Sequence, residues 1–169
     1  MSHKKTILLV SASGGKNFDL ARNLKKIVDN VEEVKSKIIN LESYDLPLYK
    51  PDLENKNDVA QKLSAQFEGA DGFIFCAPEY NGGPPPILTN AITWVSITTT
   101  NWRDGFSGKK AVIATNSGSA GHRFLVAFRS QLEHLGTLVI PKTILVNNEQ
   151  LFNKESAKMT LRYLIELVN

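Results

Sequence analysis

Three short stretches of this 169-residue chain gather the residue types that could do chemistry. Pro78-Glu79-Tyr80-Asn81-Gly82-Gly83-Pro84-Pro85-Pro86 sets a carboxylate and a phenol among paired glycines and a run of prolines. Ser11-Ala12-Ser13-Gly14-Gly15-Lys16-Asn17 offers hydroxyls and an amide beside one lysine. Asn116-Ser117-Gly118-Ser119-Ala120-Gly121-His122 repeats that small, polar character ahead of a histidine. Glu79 and Tyr80 have the types of an acid and base pair. The residues around them point elsewhere, because proline fixes φ and withholds an N–H while glycine removes the side chain. Backbone so prepared lets a planar ligand lie directly on the main chain. The same composition also suits a plain strand-to-helix turn in which Pro85 or Pro86 begins the helix. In the first stretch, unpaired N–H groups and the positive end of the helix dipole suit a phosphate, with Ser11, Ser13 and Asn17 as further donors and Lys16 as charge. The alternative is a flexible turn at Ser13-Gly14-Gly15 with Asn17 as helix cap. His122 reads either as a ligand contact or as an exposed residue at a helix start. Neither Gly-x-x-x-x-Gly-Lys-Ser/Thr nor Gly-x-Gly-x-x-Gly occurs in these stretches, which argues against a nucleoside triphosphate loop and a resident dinucleotide.

The elements that must carry these loops follow from hydrophobic periodicity. Thr6 to Val10 and Phe73 to Ala77 are continuous apolar runs, the pattern of strands covered on both faces, the latter strand running from Asp71 to Ala77. Ala111 to Thr115 reads the same way, whereas Lys35 to Leu41 is more polar and reads as an exposed strand. A fifth strand begins at Leu138 to Ile140 and resumes at Thr143 to Val146 after Pro141. Helices are predicted from the inward spacing of Leu20, Leu24, Ile27, Val28 and Val31, then of Val59, Leu63 and Phe67, closed by Gly69. Further helix faces are Leu88, Ala91, Ile92 and Val95; Leu125, Phe128, Leu132 and Leu135, closed by Gly136; and Leu161, Leu164, Ile165 and Val168 in a last helix from Lys154 to Leu167. Strands alternating with helices predict a parallel sheet wound on both faces, one α/β domain over residues 1–169. Its expected order is 2-1-3-4-5, with the ligand crevice at the carboxyl ends of strands 1 and 3, where the winding reverses. The loops after strands 1, 3 and 4 are the ones that meet there. Glu42 to Asp58 loses periodicity, which in a compact domain points to function, an interface or mobility.

Bulk properties narrow the classes. The formal net charge of +3 comes from scattered Lys and Arg, which argues against a nucleic-acid partner. The apolar run at Ile7 to Val10 is broken by Ser11, so neither a signal peptide nor a membrane span is expected. Cys76 has no second cysteine to pair with, and a cytoplasmic protein with a core thiol is expected.

Pro78-Glu79-Tyr80-Asn81-Gly82, followed by Pro84, Leu88, Asn90-Ala91-Ile92 and Trp94, resembles the signature of the NAD(P)H-dependent FMN reductase family, whose fold is flavodoxin-like. That family usually carries Lys-Asn-Ala-Ile-Asp-Trp in the helix, where this chain has Thr89-Asn90-Ala91-Ile92-Thr93-Trp94. Its first loop commonly reads Gly-Ser-x-Arg with a Ser and an Asn following; this chain lacks the arginine, and Lys16 is a point charge rather than a bidentate fork. Ser117-Gly118-Ser119-Ala120-Gly121 resembles the family's second glycine-rich loop, beside the pyrimidine and dimethylbenzene end of the flavin. The resemblance implies an FMN site made by Ser11, Ser13, Lys16, Asn17 and Phe18, by Pro78, Glu79, Tyr80, Asn81 and Gly82, and by Ser117, Gly118, Ser119 and Gly121. It implies an oxidoreductase that takes hydride from NADPH or NADH at flavin N5 and passes electrons to a small-molecule acceptor such as a flavin, a quinone, an azo compound or a metal ion. No side chain is assigned a catalytic role and no resident metal is expected, because hydride transfer is the cofactors' own chemistry. Glu79 is read as a structural carboxylate tied to neighbouring backbone, and Trp94 and Phe67 as core. The resemblance also implies a homodimer or homotetramer, with the stretch from Ser43 to Asn57 long enough to reach a neighbouring subunit. A flavodoxin-type carrier that binds FMN but is reduced by a protein partner is the alternative, and a relative that has lost its cofactor is a third.

Overall fold

The structure, a computed structural model, describes residues 4–118 and 120–169, without the side chains of residues 54–56. Parallel strands β1 (Lys5–Ser11), β2 (Val34–Asn40), β3 (Gly72–Cys76) and β4 (Lys110–Asn116) lie in the order β2-β1-β3-β4. Beyond β4 the sheet is completed by two short pieces, β5 (Leu138–Val139) and β6 (Ile144–Val146), both parallel to β4. The expected fifth strand is thus broken in two. Pro141 lies in the break, and proline has no N–H to give to a ladder.

Helices α1 (Gly15–Val28), α2 (Asp58–Glu68), α3 (Pro86–Thr98), α4 (His122–His134) and α5 (Lys154–Val168) cover both faces. The two-residue alternation of the central strands divides the core. Leu8, Val10, Phe73, Phe75 and Ile113 join residues of α2, α3 and α4, while Ile7, Leu9, Ile74, Val112 and Ala114 join residues of α1 and α5. Phe67 and Trp94 are fully buried, as their spacing predicts. Val31, expected on the face of α1, falls just past its end and is half-buried. Gly69 closes α2 in an ordinary right-handed conformation, φ −76°, so the left-handed freedom expected of it is not used. Lys109 closes the same end from outside, donating to the carbonyls of Phe67 and Glu68, where a cation meets the negative end of the helix.

The irregular stretch after β2 is ordered by α3. Asn90 accepts the N–H of Tyr49 at 2.9 Å and donates to the Pro47 carbonyl at 3.0 Å, while the Trp94 indole N–H reaches the same carbonyl at 2.8 Å. Tyr49 packs edge-on against the Trp94 ring at 5.3 Å. Within the stretch, Leu41–Ser43 and Pro51–Lys56 form short 3-10 turns. Trp102 and Phe106 belong to the connection leading back to the start of β4, at the sheet end away from the three polar loops. Phe106 is buried there, and Trp102 is exposed with the Arg103 guanidinium 3.9 Å from its ring centre.

Candidate functional site

Strand register brings the loops together. Ser11 lies opposite Asn40 on one side and Cys76 on the other, Cys76 is opposite Ala114, and Asn116 is opposite Val146. The chain therefore leaves β1, β3 and β4 along one edge of the sheet, and the strand order reverses between β1 and β3. Backbone bonds continue the sheet into the loops: Ala12 donates to the Cys76 carbonyl at 2.9 Å, Ala77 to the Ala114 carbonyl at 3.2 Å, and Ser117 to the Val146 carbonyl at 3.0 Å.

The middle loop is a tight hairpin. Tyr80 and Gly83 exchange both backbone bonds at 3.0 Å, and the two residues between them, Asn81 at φ 51° and Gly82 at φ 76°, are left-handed. This is the Asn-Gly turn whose twist matches paired strands, and Asn tolerates the left-handed region better than other non-glycine residues. The turn's two bonds leave the N–H groups of Asn81 and Gly82 outside them. Buried Pro78 and Pro85 flank the hairpin, Pro86 starts α3, and Tyr80 is 53% exposed.

Several polar side chains expected at a ligand are committed to the frame. Asn17, buried in the first turn of α1, donates to the Asn116 carbonyl at 2.9 Å and accepts the Asn116 N–H at 2.8 Å, so its amide is a two-pronged clasp between the first and third loops. Ser117, also buried, accepts the Glu79 N–H at 2.9 Å and shares a hydroxyl contact with Thr115. The Glu79 carboxylate accepts the Phe124 N–H at 3.1 Å in the first turn of α4, which has no acidic residue of its own there. That is the tie to backbone expected of Glu79, and it places negative charge at the positive end of a helix. Ser11 Oγ donates to the Ser13 carbonyl at 2.6 Å. Gly121, at φ 75°, has no space for a side chain: a Cβ would stand 3.0 Å from Leu145 and from Thr115.

Other positions face open space. A Cβ added to Gly15, Gly83 or Gly118 would meet nothing within 4 Å, so one bare backbone segment in each loop is accessible. Lys16 is exposed on the first turn of α1, Ser13 is half-buried, and Phe18 is half-buried outside both core clusters. Ser119 lies outside the described residues. Together these features suit FMN: a helix start for its phosphate and bare backbone for its ring system. One feature opposes the phosphate. The Glu42 carboxylate accepts the Gly14 N–H at 2.6 Å, at the N-terminus of α1.

Some site residues escape a reading of the sequence. Glu42 comes from the turn after β2, and its place is visible only once β2 pairs with β1. Arg123 lies 3.3 Å from where a Cβ on Gly82 would stand, and its position directly after His122 at a helix start was the available signal. Asn147 and Asn148 donate to the carbonyls of Ala120 and Gly118 at 3.2 and 2.7 Å. The described residues contain no group of three or more His, Cys, Asp or Glu arranged to hold a metal ion. Two surface grooves of about 610 and 480 Å³ run between α1 and α5, and none of the expected site residues lines them.

The chain is similar to known proteins in the same sense. The profile of the NADPH-dependent FMN reductase family matches residues 4–150. A quinone reductase of Escherichia coli K12 is 32% identical over 151 residues, covering 84% of this chain and 77% of that protein. A 2-hydroxy-1,4-benzoquinone reductase of a Burkholderia species is 37% identical over 79 residues, which are 45% of this chain and only 42% of that protein's length. In fold the chain resembles FerB, a flavoenzyme NAD(P)H:(acceptor) oxidoreductase of Paracoccus denitrificans, with a TM-score of 0.76 at 22% identity over 97% of this chain and 95% of that one. A family match over nearly the whole chain, on a flavodoxin-like sheet with its glycine-rich loops at the switch point, makes this chain a member of the NADPH-dependent FMN reductase family.

Proposed function

We propose that this chain binds FMN at the carboxyl edge of its sheet and uses NADPH or NADH to reduce a small-molecule acceptor of the quinone class. The observation that carries this reading is the convergence of three loops at the reversal of strand order, each with a glycine, Gly15, Gly83 or Gly118, that has open space where a side chain would stand. The E. coli and Burkholderia relatives, both quinone reductases by name, favour a quinone among the acceptors.

Bound FMN supplies the ring position that accepts hydride and hands electrons on. The chain's own residues bind and orient. The N–H groups of Gly14 and of the first turn of α1 would hold the phosphate, with Lys16 adding charge. The N–H groups of Asn81 and Gly82 would face the ring, on a hairpin whose shape is held by its own two bonds and by the Glu79 to Ser117 contact. Tyr80, exposed at the rim, offers an aromatic face to a planar substrate. Ser11, Asn17, Glu79 and Ser117 are spent on the frame, and the pocket acts by position.

If nicotinamide and quinone use the cleft in turn, initial rates at several fixed quinone concentrations give parallel double-reciprocal lines. Absence of nicotinamide oxidation by the FMN-supplemented protein with benzoquinone, free flavin and an azo dye would overturn the assignment. A homodimer or homotetramer completing the cleft belongs to the same reading. Leu48, 74% exposed on the stretch clamped by α3, supports it. A light-scattering mass of one chain at micromolar concentration would count against assembly.

A further inference from the structure

The first turn of α1 carries no acidic residue, and its N-cap, Gly14, makes no side-chain cap. The Glu42 carboxylate brings negative charge to this helix start from another element, accepting the N–H of Gly14 itself at 2.6 Å. Rigid neighbours set its position. Asn40, the last residue of β2, lies in register with Ser11, and its side-chain oxygen accepts the Glu42 N–H at 3.2 Å. Leu41, fully buried, anchors the turn that holds Glu42, and Tyr44 closes it by donating to the Leu41 carbonyl at 3.1 Å. A Cβ at position 14 would stand 3.0 Å from its oxygen, so any larger residue there would press the carboxylate outward by a few tenths of an ångström.

We infer that Glu42 is an internal anion that competes with the flavin phosphate for the start of α1, so that it sets the chain's preference between FMN and unphosphorylated riboflavin. This rests on the FMN reading above. A phosphate and a carboxylate are both negatively charged acceptors, and they compete for the single Gly14 N–H. Seating the phosphate means either displacing Glu42 into water, where it loses a charge-assisted bond, or holding two like charges side by side. Between Ser11 and Asn17 the loop offers only Lys16 as counter-charge, and Glu42 offsets it. Riboflavin lacks the phosphate and meets neither cost. The site therefore binds flavin mainly through its ring, with the phosphate adding little.

The test is equilibrium titration of the flavin-free protein with FMN and with riboflavin, each followed by quenching of flavin fluorescence, for the native chain, Glu42→Gln and Glu42→Ala. Glu42 is exposed, so both variants keep the core intact. The expected result is that either substitution tightens FMN roughly tenfold, about 1.4 kcal/mol, while riboflavin affinity stays within about twofold. FMN and riboflavin shifting together, or neither shifting, overturns the role of Glu42 and leaves the FMN reading standing. Failure of all three proteins to bind either flavin overturns the FMN reading and this inference with it.

Discussion

Asp71 ties β1 to β3 at the end of the sheet away from the cleft. Its carboxylate accepts the Thr6 N–H at 2.8 Å and the Lys5 ammonium at 3.2 Å, and its own N–H goes to the Thr6 carbonyl at 2.8 Å. Partial burial raises the Asp71 pKa, but the Thr6 N–H and Lys5 together outweigh it and hold the carboxyl below its ordinary value. A depressed folded value means the stabilisation is present above the unfolded pKa, roughly 3.9, and is lost as pH falls through the folded one. Asp71→Asn should therefore cost about 1 kcal/mol near neutrality and flatten the acid limb of stability between about pH 5 and pH 2. Melting temperatures across that range check it, and parallel curves for the two proteins would contradict it. Cys76 is the opposite case, since burial alone pushes its thiol up and leaves a core residue with no part in the chemistry. Residue types near the cleft were legible in the sequence, but the destinations of their side chains were not. Asn17 looks like a phosphate ligand because it starts a helix after a glycine pair; its partner Asn116 is distant in sequence and adjacent only once β1 and β4 flank β3.

Among the elements, α3 does more than cover the sheet. Asn90 and Trp94, the polar and aromatic members of its Asn-Ala-Ile-x-Trp run, hold Pro47 and Tyr49. The signature thus records a clamp on the segment after β2 as well as a ligand loop. Asn90→Ala removes both contacts made by that side chain and should cost about 1–2 kcal/mol, with the Tyr49 N–H left to water. The local effect should exceed the global one, with protease cleavage between residues 44 and 57 several-fold faster at nearly unchanged circular dichroism. Cleavage no faster than in the native chain would mean that the segment is held by other contacts. Elements with strong periodicity were legible to within a residue or two, because a buried parallel strand is one apolar run and a covering helix shows one stripe. The split of β5 from β6 was legible in outline from Pro141. The hairpin at Tyr80 to Gly83 was harder to see, since the surrounding prolines suggest a rigid loop whereas the shape comes from two left-handed residues in succession.

At the scale of the molecule, the sheet order β2-β1-β3-β4 decides where chemistry can occur, and no single loop would suffice without it. Behind the three polar loops start α1, α3 and α4, and carboxylates from outside the helix reach two of these starts, Glu42 at α1 and Glu79 at α4. Glu79 is built in; Glu42 stands at the helix start to which the proposed FMN reading gives the phosphate. Topology was legible from the alternation of strands and helices, as was the meeting of the three polar loops at the switch point, whereas the balance of charge there depends on β2 lying beside β1. No helix among the described residues is long and apolar enough to cross a membrane. The central claim is that this cleft holds a flavin that nicotinamide can reduce, and an anaerobic absorbance spectrum tests it most directly. The purified protein is loaded with FMN, freed of excess, and given NADPH and then NADH. The account predicts two flavin bands that stay with the protein and bleach with at least one nicotinamide; bands that persist with both, or never stay with the protein, contradict it.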